Sequence, residues 1–454
     1  VTNNNIELQT AMEATKAPWY EKLFKIQERN SSVRTEIIAG LTTFMTISYI
    51  LFVNPKSLSD AGIPLEAAIG ATAFVIILGS LLYGLLANLP IAVGPGVGLN
   101  AFFAYTVVLG MGLPWQTALG AVFISGVLFL ILTVTNIRKI IIEAIPPAIR
   151  YSVGVGVGAF LCFIGMKSAG IVIPDKATFV KMGSVTSPSV ILAFIGLILA
   201  AVLIAKNVKG SFIISILVVS ILAMIFGVSP APKKLTDVIS LQIPDVSSTF
   251  LALDIPAAIA YGVFSVIFSF TIIDLLDNSA TLVALAQKAG LIDKKGKIPH
   301  MQKAFYSDSV AIMGSAVLGS TATNAYSDNA AGIASGGRTG LTAVVVAVLC
   351  AVSVLFFMPL IKLIPSAATA PILILVGAFM LEEVKHLKFD DFTDTLPAFL
   401  TIISMPLTFS IANGLGLGFI SYSLLKILSG KYKEVHWMVH VISIAFIISF
   451  LYHG

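Results

Sequence analysis

Charge is scarce in this chain. Asp, Glu, Lys and Arg make up 11% of its 454 residues, against about 25% in soluble domains. That excludes an ordinary water-facing surface. With 57% hydrophobic residues and a mean hydropathy of +0.97, the chain reads as a polytopic membrane protein. Only five histidines and two cysteines are present. Cys162 and Cys350 fall inside apolar runs, so neither a disulfide nor a metal site is expected. His436 and His440 have i, i+4 spacing but no third ligand beside them, and they read as interfacial. No nucleophile–base set is evident either, which argues against an intramembrane enzyme. The net charge of +5 is spread through short loops, so no nucleic-acid face is expected. Residues 1–36 are polar and mixed in charge, without a signal-peptide pattern. They read as a cytoplasmic tail, in which PWYEKLFKIQ is either a short amphipathic surface helix or plain tail.

Apolar sequence of spanning length is abundant. Segments fall near 38–54, 66–87, 97–111, 116–136, 148–166, 188–205 and 210–227, then 257–286, 302–318, 328–337, 340–361, 365–382, 395–410 and 412–429. About 20 apolar residues cross a bilayer as helix, so the third and tenth are short. A further stretch, 435–452, is either another crossing or a helix lying against the bundle. The two sets of seven echo each other: AIPPAIRYSVGVGVGAFL (144–161) with LIPSAATAPILILVGAFM (363–380), and AFIGLILAAVLIAKN (193–207) with AFLTIISMPLTFSIAN (398–413). Chance likeness between apolar stretches is the competing explanation, but the echoes recur in the same order. A repeat with an odd number of spans inserts upside down relative to its twin, an architecture of many secondary transporters. The expected fold is all-α, with two inverted repeats of seven segments. With a cytoplasmic N-terminus and fourteen crossings, 21 of the 28 Lys and Arg lie inside, five of them in the 287–303 cluster, which satisfies the positive-inside rule.

Two segments are broken. LPIAVGPGVGLNAFFAYTVV (89–108) opens on prolines and glycines, and GSTATNAYSDNAAGIASGG (319–337) is too polar to face lipid. Each reads as an extended stretch running into a half-helix near mid-membrane, which is tolerated only inside protein or along a cavity. Broken segments in matching places of two halves point to a transport site, and their helix N-termini offer free N–H groups. Close packing alone accounts for Gly154, Gly156 and Gly158, but not for the polar run 319–337.

FSFTIIDLLDNSATLVALA (268–286) places Asp274 and Asp277 inside an apolar run. A carboxylate at bilayer depth costs a few kcal/mol. No Lys or Arg occurs from Ile255 to Gln287, a stretch of about 48 Å as helix, which puts Asp274 near its middle. The competing explanation is an ion pair with Arg338 or Lys288. Asp277, one turn on and on the same face, is expected to be supporting or structural. Asp328 opens the second half-helix, as a cap or as a cavity carboxylate; Asp308 is the weakest candidate. Two facing carboxylates with little basic compensation suit a neutral ligand rich in N–H donors, at roughly 1.5–3 kcal/mol per charge-assisted bond. One of them is suited to carry the driving proton. An anion exchanger would want a cation at the half-helix ends, and none falls there.

RTEIIAGLTTFMTISYILFVNP (34–55), GPGVGLNAFFAY (94–105), IIDLLD (272–277), QKAGLIDKKGK (287–297) and AAGIASGGRTGLTA (330–343) together resemble the nucleobase–cation symporter 2 family, and within it the hypoxanthine/adenine/guanine permease branch. The resemblance runs over nearly the whole chain from Arg34. It implies a core domain of segments 1–4 and 8–11 (37–136 and 255–362) and a gate domain of segments 5–7 and 12–14 (137–254 and 363–430), with 431–454 as a C-terminal helix. It also implies proton symport at the cell membrane, often by a homodimer. Family positions fall on Asn100, Asp274 and Asp328, the last standing where glutamate is usual. Likeness of AYSDN to the uracil permeases adds Tyr326 and Ser327 near the ligand and Asn329 behind it. DNSATL replaces the usual Thr-Thr-Gly-Thr, bringing Asn278 into the substrate set and leaving base preference open. The expectation is a proton-coupled purine importer without a cofactor. Asp274 and Asp328 would grip ring N–H groups, Asn100 would order the pocket, and Asp274 would lead in carrying the proton. Uracil or xanthine transport, and sodium in place of the proton, remain the alternatives.

Overall fold

The computed structural model describes residues 18–135, 137–260, 264–292, 298 and 300–453. Of the basic cluster 287–303, residues 293–297 and 299 lie outside the described residues. Every apolar segment expected from the sequence falls on a helix, because in hydrocarbon the backbone must satisfy its own N–H and C=O groups. The first half contains α1 (Trp19–Phe24), α2 (Val33–Ile47), α3 (Ile50–Asp60), α4 (Leu65–Leu82), strand β1 (Val93–Pro95), α5 (Val97–Ala101), α6 (Trp115–Val134), the short α7 (Ile137–Ala144), α8 (Pro147–Ser168), a β2–β3 hairpin (Val172–Asp175 and Phe179–Met182), α9 (Pro188–Ala205) and α10 (Ser211–Ile225). After a loop come α11 (Ile255–Ala260), α12 (Phe264–Lys288), α13 (Met301–Leu318), β4 (Thr323–Ala325), α14 (Asn329–Ala334), α15 (Gly340–Leu363), α16 (Ser366–Met380), α17 (Phe392–Leu407), α18 (Ile411–Leu428) and α19 (Trp437–His453). Among the described residues nine helices are long and apolar enough to cross a membrane. The span expected over 257–286 falls on α11 and α12, with 261–263 outside the described residues.

Helix boundaries follow local chemistry. Pro147 and Pro188 occupy first-turn positions of α8 and α9, where no N–H is needed. The side chains of Ser32, Thr339, Asp391 and Ser410 accept backbone N–H bonds at the starts of α2, α15, α17 and α18. Helix α4 continues into a wider π-wound turn at Tyr83–Ala87, and α5 into one at Phe102–Gly110. Such turns are common at functional sites.

The two broken segments meet. β1 and β4 pair antiparallel, with Val93 opposite Ala325, Gly94 opposite Asn324 and Pro95 opposite Thr323. Both strands are fully buried. Gly94 has no room for a side chain, since a Cβ there would strike the Tyr326 hydroxyl and, at 2.5 Å, Ile76. The Asn329 amide ties the far end of the crossing. It accepts from Ala92 N–H at 2.7 Å and donates to Ala92 C=O at 2.9 Å.

The helices pack in two groups. In one, α15 packs on α2 and α4, and α6 on α12 and α13; in the other, α8 packs on α16 and α17, with α9 on α16 and α18 on α17. α12 also touches α8 and α18 of the second group. Helix α19 lies along α18, where the rings of Phe446 and Phe419 stack and Ser443 donates to Phe419 C=O. At the N-terminus, α1 is docked: Phe24 is buried, its carbonyl accepts from the Asn88 amide, and Arg29 donates to the carbonyls of Asn88 and Arg338.

Candidate functional site

Helix α12 carries Asp274 and Asp277. Asp274 lies about 15 Å along it from Phe264. Asp277 follows at i+3, rotated by about 60°, and that rotation separates their surroundings. Asp277 is half-buried. Its carboxylate accepts from the Asn324 amide on β4, the strand between the two half-helices. From the second helix group, Glu383 in the 3₁₀ turn after α16 faces it electrostatically. Glu383 packs against α8, where a Cβ on Gly154 would meet its Cγ at 3.3 Å.

Asp274 turns the other way. It is 2% exposed, and neither carboxylate oxygen has a hydrogen-bond partner among the described residues. The charges facing it are Asp308 of α13, Arg138 of α7 and Asp277. Asp308 is 0% exposed and accepts from the Asn278 amide at 2.5 Å. Asn278 is spent on structure: its other amide atom accepts from Ala325 N–H of β4 at 3.1 Å. Arg138 is 2% exposed. Its guanidinium lies 4.1 Å from the Phe129 ring centre and 3.6 Å from that of Phe305, and donates to Ser279 at 2.8 Å. Its Nε and Nη1 have no partner among the described residues. Tyr83, in the π-wound turn, faces the same cluster.

The half-helices supply the remaining candidates. Asn100 is buried and donates to Asn54 C=O at 3.4 Å, while its amide oxygen has no partner among the described residues. Tyr326 is buried and donates to Pro95 C=O at 3.1 Å. Ser327 is exposed and Asp328 half-buried. The Asp328 side chain does not cap α14; its main-chain oxygen accepts from Thr46 at 3.4 Å. Thr46 also lines a cleft of about 600 Å³ between α2, the α9–α10 loop and α14. None of the sequence-predicted site residues lines that cleft.

Several expectations about Asp274 differ from this geometry. The carboxylates that face it are Asp308 and Asp277 rather than Asp328. Arg338 is engaged elsewhere, its guanidinium donating to the carbonyls of Ile333 and Gly337 and its N–H to Glu36. The cation near Asp274 is instead Arg138. Sequence reasoning passed over Arg138 because it sits in a loop-length helix between segments. The available signal was the fragment IRKIIIEA (137–144), where basic residues interrupt an aliphatic run. Asp308 was also underrated, because entry into a helix explains an acidic residue in sequence but not its complete burial. Among the described residues no group of three His, Cys, Asp or Glu side chains could hold a metal ion.

The chain is similar to known permeases. Residues 34–417 match the model of the Permease family. A Methanocaldococcus jannaschii permease, whose name carries no substrate, is 47% identical over 432 residues, covering 95% of this chain and 98% of that protein. The adenine permease AdeQ of Escherichia coli is 40% identical, covering 94% of each chain. The guanine/hypoxanthine permease PbuO of Bacillus subtilis is 41% identical, covering 94% of this chain and 99% of that one. The transmembrane domain of a cyanobacterial bicarbonate transporter, BicA, has the same fold, with a TM-score of 0.59 at 14% identity over 84% of this chain and 97% of that one.

Proposed function

The chain belongs to the Permease family, the nucleobase–cation symporter 2 family whose motifs it carries, and from that premise we propose that it imports purine nucleobases by proton symport. Support comes from relatives named for adenine and for guanine/hypoxanthine transport that align with nearly the whole chain. The observation that carries the reading is Asp277: a half-buried carboxylate inside an apolar helix, held by Asn324 on β4, the strand that pairs with β1 of the other broken segment.

The chemistry suits a purine edge. Asp277 offers acceptors to ring N–H groups, each such bond contributing roughly 1.5–3 kcal/mol. The Asn324 amide oxygen, without a partner among the described residues, and the similarly placed Asn100 oxygen add acceptors. Asp328 with Ser327 extends the site from the second half-helix, and Tyr326 and Asn329 hold the crossing in place. The ligand role goes to Asp277 rather than Asp274 because Asp277 is half-buried and held by Asn324 on β4, whereas Asp274 faces Asp308 and Arg138. Alternating access follows if the core domain (37–136 and 255–362) moves against the gate domain (137–254 and 363–430), with Asp277 and Glu383 at their boundary. The protein works at the cell membrane with its N-terminus cytoplasmic, as a homodimer and without enzymatic turnover of its cargo.

The test is uptake of radiolabelled adenine, guanine and hypoxanthine in cells lacking their own purine permeases, with uracil and xanthine as competitors. Purine uptake should be abolished by a protonophore, indifferent to sodium and weakened at least tenfold in apparent affinity by Asp277→Asn. Competition by uracil or xanthine alone would overturn the substrate class, and undiminished affinity in Asp277→Asn would overturn the site.

A further inference from the structure

We propose that the coupling proton is held at a site separate from the nucleobase, formed by Asp274 and Asp308 with Arg138 as its fixed counter-charge. This rests on the reading of the chain as a proton-coupled importer. Three observations carry it. The cluster is sealed, with Asp274, Asp308 and Arg138 each nine-tenths or more buried. It is under-bonded: both oxygens of Asp274, one of Asp308 and two guanidinium nitrogens of Arg138 have no partner among the described residues. Its charge does not balance either. Two carboxylates against one guanidinium leave one excess negative charge where burial of unpaired charge is heavily disfavoured. A single proton on either carboxylate cancels that excess, and the like charge of the other favours its uptake.

Among the described residues, the charged or titratable groups facing the cluster are Tyr83 from the π-wound turn and Asp277 from α12 itself. Asp277 also belongs to the nucleobase site, and a bonded path joins the two. Asn278 donates to Asp308 and accepts from Ala325 N–H; the neighbouring Asn324 holds Asp277. Protonating Asp308 removes the charge assistance from the Asn278 bond, so proton occupancy reaches the nucleobase contact through β4. Arg138 is the positioning residue. It sits on α7, the short helix joining the two packing groups, and is held in place by Phe129, Phe305 and Ser279.

The experiment measures purine uptake, purine exchange and purine-driven proton entry in proteoliposomes across pH, for wild type, Arg138→Gln, Arg138→Lys and Asp308→Asn. Without the guanidinium the carboxylate pair keeps its proton to higher pH. Arg138→Gln should therefore keep exchange, move the pH profile of uptake to more alkaline values and lose concentrative uptake, while Arg138→Lys restores the wild-type profile. A wild-type pH profile and wild-type accumulation in Arg138→Gln would overturn the proposal. If that variant does not assemble, Asp308→Asn decides: exchange without proton entry supports the site, and an unchanged proton flux per purine overturns it. Wild type that imports purines without moving protons overturns both the coupling reading and this site. Wild type that imports no purine overturns the transport reading itself.

Discussion

Replacing Glu36 tests how the second half-helix is anchored. Glu36, on α2, is 0% exposed. One carboxylate oxygen accepts Arg338 N–H at 3.0 Å; the other accepts Thr339 N–H at 3.2 Å and the Thr342 hydroxyl at 2.5 Å. It thus satisfies the turn between α14 and α15 and the first donors of α15, whose partial positive charge favours an anion. In Glu36→Gln one oxygen becomes an amide donor pointing at a donor, so at least one buried N–H is orphaned, costing about 1–3 kcal/mol. Glu36→Ala orphans three donors and should cost roughly 3–5 kcal/mol, since the Thr342 hydroxyl can re-aim. Thr342→Val removes one bond alone, at about 1 kcal/mol. Thermal unfolding in detergent, followed by size-exclusion fluorescence, should rank the variants Thr342→Val, Glu36→Gln, Glu36→Ala in order of increasing loss. A Glu36→Gln midpoint equal to wild type would refute the anchoring role.

Two further predictions concern stability. Asn329→Ala should cost roughly 2–5 kcal/mol because both main-chain groups of buried Ala92 lose their partner, whereas Ser327→Ala at an exposed neighbouring position should leave the melting midpoint unchanged. At the α17–α18 end, the Lys431 ammonium at 2.6 Å, helped by the N–H and hydroxyl of Thr393, holds the Asp391 carboxyl below the usual carboxylate range. A depressed folded value makes this contribution complete above pH about 4–5 and lost as pH falls further. Melting midpoints measured across pH should therefore converge between wild type and Asp391→Asn only at acid pH.

The two broken segments were legible because their composition admits little else: glycine, proline and polar residues cannot continue a lipid-facing helix. Their pairing as β1 and β4 was not, since which two extended stretches cross depends on contacts more than 200 residues apart in sequence. Asp274 and Asp277 show the same limit on one helix. Hydropathy places both at depth, yet a rotation of about 60° between them sends one to Asp308 and the other to Asn324. Asn278 appeared as a ligand contact from its neighbourhood in sequence and is consumed by internal bonds.

By itself the sequence determined the solvent, the helical class, the rough limits of the apolar segments and the places in them where polar groups interrupt. These follow from transfer energies and backbone hydrogen bonding, which act residue by residue and are indifferent to partners. Only the tertiary structure decided which carboxylate accepts from Asn324 and which is buried beside Arg138. That depends on how α12 is rotated against α6 and β4, a choice made by side-chain packing between segments distant in the chain.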